Sequence, residues 1–166
     1  MSHIANLTTV DLRAAVGNRN FVKGILARAT TAATAVKSTS AYTYSVDGVL
    51  APIKSALSEQ SVAVTHTSEG LTLAAAGVTA YVQAAGTSAY YVIALDVAGT
   101  VGVFQGAAFT TGTAGAFPKV AYTYTPIGFF KVVVASSTFT AGTTALDAGT
   151  LTTTYVDVSS LPSVAP

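Results

Sequence analysis

Two histidines and seven carboxylates make up the acid–base inventory of a 166-residue chain that has no cysteine. His3 and His66 are far apart in sequence, and no HxxxH spacing exists to put two imidazoles on one helix face for a metal. His66 and Glu69 flank a predicted turn, where they form either a polar pair or a solvated strand end. Asp47 and Asp96 occupy positions where an aspartate serves a turn through its own side chain. Asp11 and Asp147 stand at helix-start or turn-like positions, and Glu59, Glu69 and Asp157 are scattered. No GxSxG elbow, phosphate-binding loop or GxGxxG fingerprint is present. Gly99, Gly102 and Gly106 surround a predicted hairpin and precede no helix. The expectation is no catalytic residue, no metal ligand set and no cofactor: a part rather than an enzyme.

The elements that surround these residues are poor in charge. Lys, Arg, Asp and Glu account for 9% of the chain, against roughly 25% in ordinary soluble domains, while apolar residues reach 51%. A surface this bland calls for burial in an oligomer or a larger assembly. Residues 70–95 carry no formal charge, but Thr72, Gly77, Thr79, Gln83, Gly86, Thr87 and Ser88 interrupt them. No stretch supplies the ~18 apolar residues of a spanning helix. The start, MSHIANLTTVDLRAA, has no basic-then-apolar signal pattern. Net charge is +1, with six bases against two acids in residues 1–54 and two bases against five acids in residues 55–166. Basic density is too low for nucleic acid, and the expectation is no nucleic-acid partner and no membrane.

Residues 1–38 read as an N-terminal arm and helix, and residues 39–166 as a β-rich domain. Thr8 and Thr9 are N-cap candidates ahead of Asp11. Phe21, Val22, Ile25, Leu26, Ala29, Ala33 and Val36 recur at three- and four-residue steps, which predicts one apolar helical stripe. Arg19, Lys23 and Arg28 sit off it. After Lys37 the period changes to two. Tyr42, Tyr44 and Val46 alternate with polar residues before Asp47-Gly48, a strong hairpin signal. Pro52 marks a strand edge or end, and residues 55–60 suit a short helical turn. Strands follow at 62–65, 71–73, 78–83, 90–97 and 100–104, with Asp96 to Gly99 turning one into the next. Residues 105–116 form a Gly/Ala/Thr loop suited to a mobile tip or an assembly contact. Tyr90-Tyr91 and Phe129-Phe130 point to opposite faces of their strands, one ring to the core and one to a neighbour or solvent. The tetrapeptide AYTY occurs at 41–44 and 121–124, which strand composition explains without a repeat. The fold class expected is mainly β, an antiparallel sandwich or jelly-roll-like domain, with the N-terminal α-helical segment.

The last third is the most patterned: Thr125-Pro126, the run Ile127 to Val134, a Gly/Thr-rich crossing, then Thr152 to Val158 before Pro162. Together with SVDGVL at 45–50 and YYVIALDVAGTVGVFQG at 90–106, it resembles small virion structural proteins of tailed bacteriophages, the head decoration (cement) and head-fibre-like group. Gly99, Gly106, Pro126, Gly128, Lys131, Phe139, Gly142, Asp147, Tyr155, Asp157 and Pro162 fill the positions of that pattern. The resemblance implies a homotrimer on the capsid exterior of a virion, made in the host cytoplasm, with the major capsid protein as partner. On that reading Ile4, Leu7, Arg13, Arg19, Lys23 and Arg28 form the capsid clamp. The competing expectation is a fibre- or tail-associated host-recognition module that binds surface glycan through exposed aromatics.

Overall fold

A computed structural model describes residues 17–73 and 82–159. Its strands are β1 (Arg19–Asn20), β2 (Leu26–Arg28), β3 (Ala35–Ser38), β4 (Tyr44–Val46), β5 (Val49–Leu50), β6 (Gln60–Ser61), β7 (Thr87–Asp96), β8 (Val101–Gln105), β9 (Phe109–Thr110), β10 (Tyr124–Val134) and β11 (Leu151–Asp157). The protein is mainly β and antiparallel throughout its strand pairings.

The longest strands, β7 and β10, lie side by side at the centre of a sheet ordered β11-β10-β7-β8, with β9 paired to the start of β7. The middle of this sheet is covered on both faces, so β7 is buried from Ser88 to Leu95 with no exposed alternate residue, whereas alternate residues of the edge strand β11 are exposed. Tyr91, Ile93, Leu95, Phe130, Val132 and Val134 face the larger core, which also takes Leu26, Val36, Tyr42, Tyr44 and Val46. Tyr90, Val92, Ala94, Phe104 and Phe129 face a second core closed by Phe109, Phe117 and Tyr124. The adjacent aromatic pairs therefore split between two cores, and all four rings are buried. The expectation that one member of each pair meets a neighbour or solvent is corrected. Complete burial of an apolar side chain of this size contributes about 1.5–3 kcal/mol.

Pro126 sits inside β10 without costing a ladder bond to β11, because the β10–β11 register begins only at Gly128↔Asp157. The β7 register shifts between Pro126 and Gly128, which leaves Ile127 as the extra residue of a bulge. The Asp47-Gly48 hairpin forms as expected. Both residues have positive φ, 48° and 70°, the pair of left-handed positions that a two-residue turn of this hand requires. Asp96 also turns β7 into β8, its carboxylate accepting the Ala98 and Thr100 N–H groups at 2.9 and 2.7 Å.

The N-terminal helix is a correction. Residues 17–38 contain three strands and no helix, and residues 10–16 lie outside the described part. β1 pairs with β4 (Arg19↔Ser45), and β2 pairs with β3 (Leu26↔Ser38), which pairs with β6 (Ala35↔Ser61). Helix propensity is weak here: Val22, Ile25, Thr30, Thr31 and Thr34 are β-branched and Gly24 interrupts them. Non-local pairing then satisfies the backbone. Gly24 is needed as glycine, since a Cβ there would fall 2.2 Å from the Tyr42 ring. Residues 55–60 likewise form no helical turn. Leu57 is buried, its N–H donated to Ser38 Oγ (2.9 Å) and its carbonyl accepting the Ser38 N–H (2.8 Å). The loop at 105–116 folds back through β9, and Phe109 stacks on Tyr90 at 5.4 Å. Among the described residues no helix is long and apolar enough to cross a membrane.

Candidate interaction surface

The expected stripe divides at Ile25. Leu26, Ala29 and Val36 are buried in the core and Ala33 is half-buried, while Phe21, Val22 and Ile25 are 51%, 42% and 59% exposed. The three exposed side chains belong to the connection between β1 and β2, which also presents Lys23 to solvent. Phe21, Val22, Lys23 and Ile25 thus turn their side chains to solvent on either side of Gly24, which is itself buried against Tyr42.

The anchoring of this connection is specific. At one end the Phe21 N–H donates to the Thr43 carbonyl at 2.7 Å, and in the middle the Gly24 carbonyl accepts N–H groups from Thr39 and Ser40 at 2.7 and 3.1 Å. At the other end both Asp157 carboxylate oxygens accept the Leu26 N–H, at 2.9 and 3.0 Å. Ile25, between these anchors, has φ +56°. That is a conformation disfavoured for a β-branched residue, stored where surrounding contacts over-determine the backbone. The Ile25 side chain itself faces solvent.

The structure describes three of the six clamp residues, Arg19, Lys23 and Arg28. Ile4, Leu7 and Arg13, like His3, lie outside the described residues. Arg19 is exposed on β1 and Lys23 is exposed in the loop. Arg28, on β2, turns instead to Asp147, with Nη2 3.3 Å from its carboxylate. Both partners are substantially exposed, so the pair contributes little to stability, but it engages the Arg28 guanidinium within the chain. Tyr155 lies beside this pair, its ring tilted at 37° to that of Phe130 with centroids 6.1 Å apart. Burial pushes its phenol up to about 12, with Arg28 opposing and Asp147 adding to the shift.

His66 is neither solvated nor paired with Glu69. It is buried, stacked on Phe104 at 4.1 Å, edge-on to Tyr124 at 5.0 Å, and its Nδ1 lies 2.8 Å from Thr65 Oγ1. Desolvation lowers its pKa below the ordinary imidazole value, because burial disfavours the charged imidazolium. Glu69 pairs with Lys119 instead. No group of three or more potential metal ligands gathers among the described residues.

The sequence reading missed a second apolar surface. Val46, Asp47, Val49, Val97, Tyr122 and Thr123 line a groove of about 240 Å³ where the turns at Asp47-Gly48, Val97-Ala98 and Tyr122-Thr123 meet. Val49, Val97 and Tyr122 are 43%, 50% and 77% exposed. Each is an ordinary strand or turn residue in the sequence, and no local signal separates them from buried neighbours.

No protein-family model matches the chain, and no curated protein or solved structure is detectably similar to it.

Proposed function

We propose that the protein is a non-enzymatic structural part of a phage particle that decorates and stabilises the capsid as a homo-oligomer, a trimer on the resemblance of its sequence. The observation that carries this reading is the anchored loop with Phe21, Val22, Lys23 and Ile25 turned to solvent. Buried apolar anchors beside a positive charge suit a lasting contact with another protein. Arg19 lies next to this surface in sequence and joins the proposed contact; Arg28, held by Asp147, leaves it. The apolar and basic residues of the arm, Ile4, Leu7 and Arg13, extend the same contact. Stabilisation follows from mass action, because a protein that binds only the assembled shell raises the free energy of taking it apart.

The test uses full-length protein and capsids that lack it. Replacing Phe21→Ser, Lys23→Glu and Ile25→Asn together removes the apolar anchors and reverses the charge, and asparagine tolerates the φ of position 25. Capsid occupancy is expected to fall by about tenfold or more, a loss of ~1.4 kcal/mol or more, with melting temperature and oligomeric state unchanged. Unchanged occupancy would overturn the reading. Saturable binding of the isolated protein to host cells would favour the glycan-recognition alternative.

A further inference from the structure

We infer that β11 is a pairing edge for a second copy of this chain, the two strands running antiparallel about a two-fold axis at Thr154. The inference does not rest on the capsid reading. A contact of this kind closes after two chains, and in a trimeric protein it joins one trimer to another.

The two edges of the central sheet differ. Along β8 the edge is covered: the Val103 carbonyl accepts the Thr65 and His66 N–H groups at 2.9 and 3.1 Å, and the Val103 N–H donates to Thr65 Oγ1 at 2.8 Å. Along β11 it is open. Bonds from the Ala135 N–H to the Thr150 carbonyl (2.9 Å) and from the Val158 N–H to the Ile127 carbonyl (3.3 Å) fix the alternation of the β10–β11 ladder. Thr152, Thr154 and Val156 therefore bond to β10, and the backbone groups of Leu151, Thr153, Tyr155 and Asp157 point away from it. The Leu151 N–H is taken by the Ala148 carbonyl, and at Asp157 the edge meets β2 through the Leu26 N–H. Between those limits the N–H and carbonyl groups of Thr153 and Tyr155 make no bond among the described residues. A groove of about 360 Å³ lies beside Leu151, Thr153 and Tyr155, bounded by Arg28 and Asp147.

Exposed strand edges are ordinarily blunted by a lysine, a proline or a bulge. Residues 151–156 have none of these, and their register with β10 is unbroken. The open stretch is symmetric about Thr154, and that symmetry selects a second copy. Thr153 of each chain falls opposite Tyr155 of the other, so four backbone hydrogen bonds use every open group of Thr153 and Tyr155 on both edges. Thr154 then faces its own copy and Thr152 faces Val156, uncharged β-branched pairs suited to cross-strand contact.

The chain has no cysteine of its own, so single replacements in the full chain read the register. Oxidised Thr154→Cys is expected to give a disulfide-linked pair of chains. Residues directly opposite at a non-hydrogen-bonded position have Cα atoms about 4.5 Å apart, inside the ~7 Å that a disulfide allows. Thr152→Cys and Val156→Cys each lie about 14 Å along the strands from their own copies. Each is expected to stay unlinked alone and to link when the two are mixed. No link at Thr154→Cys, or equal links at all three positions, would overturn the inference. A second measurement needs no oxidation. Thr154→Glu faces Lys131 within its own chain but sets a carboxylate opposite its copy. Self-association in sedimentation is expected to weaken by about fivefold or more, with the melting temperature of the single chain unchanged. Equal association of variant and unaltered chain would sink the proposal. An unaltered chain that stays single at every concentration would sink it too, and would assign the open edge to a strand of another protein.

Discussion

Tyr42 and Tyr44 of the first AYTY segment are fully buried, whereas Tyr122 of the second is 77% exposed and Tyr124 is half-buried. The four letters are the same, so the difference comes from what each segment meets. The first runs into β4, is bridged to Lys54 and paired to β1, and lays its rings against the larger core. Tyr44 also donates its hydroxyl to the Asp96 carbonyl at 2.8 Å. The second forms a turn ahead of β10, where the Tyr124 N–H returns to the Ala121 carbonyl at 2.9 Å and Tyr122 is directed outward. A β-propensity pattern states that a residue suits a half-buried surface, and tertiary packing decides which half it joins.

This contrast can be broken by substitution. Tyr42→Ala is expected to cost about 3–5 kcal/mol, the scale of a large aromatic lost from a packed core, read by denaturant unfolding. A loss near that of a surface change would mean that the first AYTY is not part of the cooperative core.

Tyr44→Phe keeps the ring and removes the hydrogen bond to Asp96, with an expected cost of about 1 kcal/mol. Its pH dependence sharpens the assignment. Burial, and then the Asp96 charge, raise the Tyr44 pKa, and burial also raises that of Tyr42. A phenol whose folded pKa lies above its unfolded value contributes stability that is full below about pH 10 and is lost as pH rises through the folded pKa. The unaltered protein should lose stability above that point, and the Phe variant should lose less. Parallel alkaline curves for the two would show that Tyr44 ionises as freely in the folded chain as in the unfolded one.

The smallest effect is expected at Tyr122→Ala, within about 0.5 kcal/mol. A larger loss in thermal melting would show that the exposed ring is covered in solution.

Much of the β architecture was legible locally. Asp47-Gly48 and Asp96 to Gly99 marked their turns, because the backbone needs positive φ or an aspartate acceptor at those points. Ile127 to Val134 and Thr152 to Val158 read as strands, and β10 and β11 cover nearly those residues. The candidate surface was legible only in composition. Phe21, Val22, Lys23 and Ile25 were singled out, but as a helical stripe and its basic flank. Three- and four-residue spacing also arises where short strands and turns alternate, and nothing local reveals that Asp157, 131 positions away, holds the Leu26 N–H. His66 was misplaced for the same reason: Phe104 and Tyr124, which enclose it, are remote in sequence.

The sequence by itself determined a charge-poor, mainly β chain with two well-marked turns, because alternation and turn chemistry act between near neighbours. Only the tertiary structure decided that β7 at the middle of the central sheet is buried on both faces, that one AYTY is core and the other surface, and that the side chains of Phe21, Val22, Lys23 and Ile25 face solvent. Those outcomes depend on contacts between residues far apart in the chain, whose free energy no local pattern encodes.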